Sequence, residues 1–280
     1  MGIIQRQGLI NSVISYTGLL LGAISLLFIQ PHFLSKEEIG LTRVLFSFSS
    51  LIATFMPLGM NVITLKFFPH FRNHEKGHYG FFGLMLVLPI IGFLLFGSIL
   101  FLMKGYIISK YIDQSKLFTD YFYYIFPLSF FLSFINVLIA YSYSIFRTSF
   151  PALINDVLVR VVSILLFTIY FIKWITLHQF ITLFVGIYGM QFLSLIVYLF
   201  WRDNPKLNVD RYFLQQQNIR EMLNYGLIMS VASLSSLGLK YLDTVMLGMY
   251  KPKQAGLNAL DIIGIYSIAA FVATIVEAPF

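Results

Sequence analysis

The sequence predicts an all-α polytopic membrane protein with about eight transmembrane helices. Of its 280 residues, 58% are hydrophobic and only 11% are charged, and the mean hydropathy is +0.82. A soluble domain is about 45–50% apolar and about 25% charged. Apolar runs long enough to cross a bilayer, which takes about 20 residues, recur along the whole chain. A membrane admits only helices or closed barrels, and these runs are too long for barrel strands, so each is expected to be a helix.

Eight apolar runs are separated by shorter polar stretches. Pro57, Pro89 and Pro127 lie inside the second, third and fourth runs, where each frees a backbone carbonyl and permits a kink. The runs cover residues 8–29, 39–65, 80–103, 121–146, 152–172, 177–201, 222–249 and 261–280.

A long polar segment, residues 202–221, divides these runs into six and two. We therefore expect a six-helix lobe over residues 1–201, a linker over 202–221 on the same side of the membrane as the N-terminus, and the first two helices of a second lobe over 222–280. The phrase Ile39-Gly40-Leu41 returns as Ile263-Gly264-Ile265, and each copy opens the second helix of its half. This indicates an internal repeat, which transporters commonly contain.

Asp156 and Arg160 place two opposite charges inside the fifth run. They are four residues apart, so they share a helix face and are separated by about 6 Å along the axis. A charge in a membrane-spanning helix costs several kcal/mol unless it is paired or faces a wet cavity. Two interpretations stay open: Arg160 binds a phosphate and is held by Asp156 when the site is empty, or the two form a structural ion pair.

Five further polar residues are candidates for a substrate site. Lys240 and Asp243 share one face of the seventh run, either as an interfacial pair or as a coupling carboxylate beside a substrate cation. Arg43 and Lys66 flank the second run, as interfacial anchors do. Asn61 lies about one turn from Lys66 and could line the same path.

The sequence argues against an enzyme and against bound cofactors or metals. It contains no cysteine, no glycine-rich phosphate loop and no hydrolase or zinc-protease motif. Its longest polar segment is too short for a catalytic domain. His70, His74 and His78 recur every four residues but are expected in a solvated loop. The net charge of +7 is scattered between apolar runs, which is typical of loops facing anionic lipid and not of nucleic-acid binding.

Two stretches resemble bacterial polysaccharide flippases of the multidrug/oligosaccharidyl-lipid/polysaccharide exporter superfamily. Asp243, followed by Met246-Leu247-Gly248 and then by Gly264-Ile265-Tyr266-Ser267-Ile268-Ala269, resembles the family's seventh and eighth helices. Leu58-Gly59-Met60-Asn61 and Lys66-Phe67-Phe68-Pro69 resemble the end of its second helix. The loop between Gly248 and Gly264 is longer than is expected for the family.

The resemblance implies a secondary transporter that flips undecaprenyl-diphosphate-linked oligosaccharide across the bacterial inner membrane by alternating access. It implies a role in polysaccharide synthesis, as for O-antigen and lipopolysaccharide. It also implies a cytoplasmic N-terminus, and hence a cytoplasmic linker over 202–221. The implied partners are the lipid-linked oligosaccharide, membrane lipid and polysaccharide polymerase machinery. Family members have about twice six helices, so we expect the 280 residues to be a portion of a longer protein.

Two other functions stay open at this stage. A drug or cation exporter of the same superfamily should prefer acidic cavity residues, whereas the candidate charges here are more basic than acidic. An integral-membrane glycan enzyme should carry a large extramembrane loop with clustered catalytic residues, and the sequence has no such loop.

Overall fold

A computed structural model of the chain describes residues 3–73, 75–111, 115–208, 210, 219–249 and 257–277. Throughout this part of the chain the regular structure is helical, without a strand. Six helical segments in it are long and apolar enough to cross a membrane. They cover Gln7–Phe33, Lys36–Phe55, Gly77–Tyr111, Lys116–Ser144, Ser149–Phe171 and Leu177–Asp203. The predicted all-α polytopic fold is thereby confirmed.

The α-helices are numbered in chain order. Over the described residues they are α1 (Ile3–Ile24), α2 (Gln30–Phe33), α3 (Lys36–Phe55), α4 (Met60–Phe71), α5 (Phe81–Tyr111), α6 (Lys116–Tyr121), α7 (Ile125–Ser144), α8 (Ser149–Ala152), α9 (Val159–Phe171), α10 (Leu177–Asp203), α11 (Ile219–Gly248) and α12 (Ala259–Glu277). Short π-helical segments join α1 to α2 (Ser25–Ile29) and α8 to α9 (Leu153–Leu158).

The seventh and eighth predicted runs form α11 and α12. α11 is 30 residues long, and the apolar part of α12, Ala259–Ala273, is shorter. Residues 211–218 of the predicted linker and residues 250–256 of the following loop lie outside the described part of the chain.

The second predicted run is broken where a kinked helix was expected. α3 ends at Phe55, and α4 starts only at Met60. Between them Leu58 and Gly59 have positive φ angles of 51° and 78°. Pro57 cannot donate a backbone hydrogen bond, and a glycine adopts a positive φ without steric cost. The result is a discontinuous helix inside an apolar run.

Two buried clusters fill the bundle. One centres on Leu41 and Leu45 of α3 and on Phe118 and Phe180, which face them from α6 and α10. The other joins α4, α5 and α7 through aromatic rings, among them Phe68, Phe82 and Tyr141. In contrast, α5 exposes large apolar side chains such as Leu94 and Leu102 on its outer surface. An exposed apolar surface of this kind suits a helix that faces lipid.

The start of the predicted linker is attached to the six-helix part. His78 is buried, and its Nε2 lies 3.7 Å from a carboxylate oxygen of Asp203. Tyr141 donates a hydrogen bond of 2.6 Å to the same carboxylate. The backbone N–H of Asp210 donates to the carbonyl of Tyr79 at 3.0 Å. The expectation of a solvated loop is therefore wrong for His78, whose burial is compensated by Asp203, while His74 lies outside the described residues.

The two copies of the repeated phrase cross each other at close range. A methyl group at Gly40 of α3 would overlap the backbone carbonyl of Leu260, and one at Gly264 of α12 would overlap that of Lys36. Lys36 stands four residues before Gly40, and Leu260 stands four residues before Gly264. The contact is thus reciprocal, as expected when equivalent segments pack about a local two-fold axis.

We predict that Gly40→Ala and Gly264→Ala each destabilise the protein. The added methyl group meets backbone, which cannot rotate away, so the helices must separate at a cost of about 1–3 kcal/mol. The two effects should be less than additive, because one crossing is disrupted in both variants.

Thermal unfolding in detergent measures this effect. Gly105→Ala is the matched control, because a methyl group there has no neighbour within 4 Å and should raise stability by up to about 1 kcal/mol through helix propensity. Unfolding of Gly40→Ala at the parental temperature would contradict the close crossing.

Candidate functional site

A polar cavity of about 400 Å³ lies where α3, α4, α7 and α11 meet. Of the predicted site residues, Asn61 lines it directly. The full lining is Thr54, Asn61, Leu65, Asn136, Ile139, Ala140, Tyr143 and Ser233, none of which is charged.

The cavity walls can bind a neutral ligand that is rich in hydroxyl groups. The hydroxyls of Thr54 and Ser233 donate to carbonyls of their own helices, at 2.9 Å and 2.8 Å. Their oxygen lone pairs remain available to donors in the cavity. The amides of Asn61 and Asn136 can donate and accept, and Asn136 is exposed although it lies inside a membrane-crossing segment.

The break between α3 and α4 forms one edge of this cavity. Thr54 stands just before the break and Asn61 just after it. Non-helical backbone at membrane depth is tolerated where it is buried in protein or lines a cavity. On the far side, Gly59 packs against the backbone of Gly226 in α11. The start of α4 therefore lies beside the cavity, and the positive end of its dipole favours a negative group there.

Arg43 lies about 16 Å along α3 from Thr54. Its Nη2 donates to Gln30 at 3.2 Å, while its Nε is shielded from solvent without a hydrogen-bond partner among the described residues. No carboxylate in that part of the chain pairs with it. Ser50, which lies on the same face between Arg43 and Thr54, interacts through its hydroxyl with the phenol oxygen of Tyr241 of α11. A polar side chain thus stands between the cavity and Arg43, which has no counter-ion among the described residues.

Lys66 lies on the other side of Asn61, farther along α4. It is exposed, and its ammonium group stands 3.8 Å from the ring centroid of Tyr225 in α11. This is a cation–π geometry, which leaves the ammonium hydrogens free to bind an anion or water.

Asp156 and Arg160 both contact α1. The carboxylate of Asp156 accepts hydrogen bonds from Ser15 at 3.2 Å and from Asn155 at 2.9 Å. Arg160 donates to the backbone carbonyl of Gly18. Within the described residues the two side chains share a face, as their spacing predicts, but form no ion pair with each other. Their observed contacts are those that hold α1 against the bundle.

The Asp156 group nevertheless lies near the cavity. Tyr143 lines the cavity and is close enough to Asp156 to interact electrostatically with its carboxylate. Asn155 connects Asp156 to Gln191 of α10 through a hydrogen bond of 3.0 Å. Asp156 stands in the π-helical segment Leu153–Leu158, a type of local distortion that is frequent at functional sites.

Asp243 is separate from these groups. It is exposed and accepts a hydrogen bond of 2.9 Å from Tyr266, which joins α11 to α12. Lys240 belongs to α11, but its side chain lies outside the described part of the structure.

Sequence reasoning missed four polar residues of the lining: Thr54, Asn136, Tyr143 and Ser233. Asn136 could have been found, because a side-chain amide inside an apolar run is costly unless it has a partner or faces water. Residues with a hydroxyl group give a weaker signal in the sequence, because their hydroxyl can donate a hydrogen bond to a carbonyl of its own helix.

Comparison with known proteins identifies the family. The family model described as polysaccharide biosynthesis protein matches residues 4–278. No curated protein and no solved structure matches the chain. The family contains the O-antigen and polysaccharide flippases, which are transporter-like membrane proteins. Because the match extends over almost the whole chain, this multi-pass membrane protein belongs to the polysaccharide biosynthesis protein family.

Proposed function

We propose that the protein is a secondary transporter, not an enzyme, and that it flips undecaprenyl-diphosphate-linked oligosaccharide across the bacterial inner membrane. The observation that carries this proposal is the neutral, hydroxyl- and amide-lined cavity at the break between α3 and α4. A sugar that leaves water needs hydroxyl and amide groups to replace the hydrogen bonds that it made to water.

Two cations outside the cavity, Arg43 farther along α3 and Lys66 farther along α4, suit the diphosphate. Arg43 offers a planar guanidinium without a carboxylate partner in the described residues, and Lys66 offers an exposed ammonium. Arginine binds phosphate in a bidentate manner and lysine binds it as a point charge. In this proposal Asn61 binds the head group between them, and Asp156 and Arg160 hold α1 beside the site. Asp243 holds α12 through Tyr266, and Lys240 is a further candidate cation.

Alternating access would take place between a lobe formed by residues 1–201 and a second lobe that begins at α11. The reciprocal crossing at Gly40 and Gly264 would be the contact about which the lobes turn. Packed helices have discrete arrangements, and substrate shifts their balance only through different contacts in each. Polysaccharide polymerase machinery would receive the flipped product.

A drug or cation exporter remains the competing function, and charge distinguishes the two. Among the described residues no carboxylate lines the cavity, and Asp156 acts on it through its charge near Tyr143. A lipophilic cation should find little to bind in such a cavity, whereas a diphosphate-linked sugar should bind.

We predict that cavity variants slow flipping in vesicles that contain a defined undecaprenyl-diphosphate-linked glycan. Asn61→Leu removes neutral hydrogen bonds and should reduce the rate about 2–10-fold. Arg43→Gln removes charged hydrogen bonds and should reduce it about 10–100-fold. The rate is measured as glycan that becomes accessible in the opposite leaflet, per folded protein molecule.

The same assay contains its controls. Lys173→Gln removes an exposed cation beyond the end of α9 and should leave the rate unchanged. Arg160→Leu removes the contact with Gly18, so it should lower abundance more than transport per folded molecule. Parental rates for both Asn61→Leu and Arg43→Gln would remove the cavity from the path, and transport of a lipophilic cation alone would favour the exporter.

The proposed orientation has a cytoplasmic N-terminus and a cytoplasmic segment 202–221. The chain contains no cysteine, so single cysteines report sidedness directly. Asp120→Cys, at the exposed end of α6, should react with a membrane-impermeant thiol reagent in intact cells. Asn208→Cys, which is equally exposed, should react only after lysis. The opposite pattern would reverse the orientation.

A further inference from the structure

A second, apolar groove runs along α10 on a different surface from the polar cavity. Its volume is about 760 Å³, and it extends from Gly186 to Trp201. These residues are separated by about 22 Å along the helix. This length exceeds half of the hydrocarbon core of a bilayer, which is about 30 Å thick. The groove is therefore long enough to hold a lipid chain through one whole leaflet.

The groove presents mainly hydrocarbon, and the polar tips of Tyr198 and Trp201 stand toward its Trp201 end. Leu193 and Val197 are 59% and 64% exposed along it. Phe150 of α8 stacks on Tyr198 with ring centroids 3.9 Å apart and forms one wall. The hydroxyl of Ser194 donates to its own helix at 2.8 Å. Such a surface fits a flexible apolar chain.

Arginines stand at one end of the groove. Arg147 donates to the backbone carbonyl of Arg202 at 3.1 Å, which holds the two residues together. The guanidinium of Arg202 lies 5.4 Å from the ring centroid of Trp201, the last residue of the groove. Asp203 is engaged by His78 and Tyr141 and forms no direct ion pair with either arginine, although it lies within electrostatic range of Arg147. Tryptophan beside arginine is typical of a membrane interface, where a basic residue attracts anionic head groups.

We propose that this groove is a binding site for an anionic glycerophospholipid of the leaflet in which α10 ends. One acyl chain lies along Gly186 to Trp201, and the phosphate contacts Arg202 and Arg147. The combination of a leaflet-length apolar groove and two arginines at one end selects this ligand. An undecaprenyl chain is much longer than one leaflet and fits the groove less well.

The two tryptophans of the chain allow a direct test. Trp201 and Trp174 are 77% and 76% exposed, and only Trp201 lines the groove. Trp174→Phe leaves Trp201 as the reporter, and Trp201→Phe leaves Trp174 as the control. Each variant is reconstituted in phosphatidylcholine vesicles with increasing fractions of phosphatidylglycerol whose chains are brominated near the glycerol, so that bound lipid quenches the fluorescence.

We expect brominated phosphatidylglycerol to associate with the site at Trp201 at least about fivefold more strongly than brominated phosphatidylcholine. One contact between an arginine and an anionic head group contributes about this factor. Trp174 should show no such preference. Arg202→Gln should reduce the preference at Trp201 about fivefold, while Arg220→Gln, an exposed arginine of α11, should not.

A variant that fills the groove distinguishes lipid binding inside the groove from unspecific attraction of anionic lipid to the arginines. A side chain at Gly186 meets no protein atom within 4 Å, so Gly186→Phe should fold normally and weaken lipid binding at Trp201. Gly105→Phe adds the same ring at an equally open position of α5 and should have no effect.

Two results would overturn the proposal. One is equal quenching of Trp201 by the two brominated lipids. The other is displacement of brominated phosphatidylglycerol by stoichiometric undecaprenyl phosphate but not by the same amount of unbrominated phosphatidylglycerol, which would assign the groove to an isoprenoid lipid. Neither result depends on whether the polar cavity transports glycan.

Discussion

The close crossing of α3 and α12 determines how the rest of the described structure is arranged. Backbone meets Cα at Gly40 and at Gly264, so no larger residue fits at either position without separating the helices. The start of α3 is fixed by a capping box in which Ser35 and Glu38 exchange hydrogen bonds. This crossing brings α11 alongside the six-helix part, where Gly226 packs against Gly59. The polar cavity exists because α11 closes the side of a groove that α3, α4 and α7 leave open.

The break in the second apolar run places polar residues at the edge of this cavity. A continuous helix would bury every backbone group and offer only side chains to a ligand. The break turns the start of α4 toward the cavity, beside Asn61 and Thr54. It also separates the two cations, Arg43 on α3 and Lys66 on α4, so that a head group between them would meet hydrogen-bonding groups throughout its path.

The sequence predicted the helices because bilayer thickness sets the length of an apolar run, and the family model agrees with the resemblance seen at Asp243 and Asn61. It predicted a kink at Pro57 but not a break, because a residue such as Leu58 rarely adopts the positive φ that it has here. It placed Asp156 and Arg160 on one face but could not show that both contact α1. The cavity lining comes from four helices, and a hydroxyl such as that of Ser233 looks the same in sequence whether it faces lipid, protein or a cavity.

The proposed function requires the lipid-linked glycan to pass through the polar cavity, whose walls include α4 and α11. Leu65→Cys and Ser233→Cys place thiols on two walls of the cavity in a chain that has no other cysteine. The most direct measurement is flipping by this double variant before and after linking the thiols with a cleavable bifunctional reagent, with each single variant treated in the same way. The account predicts that linking stops flipping and that cleavage of the linker restores it. Flipping that continues at an unchanged rate in the fully linked protein would contradict it.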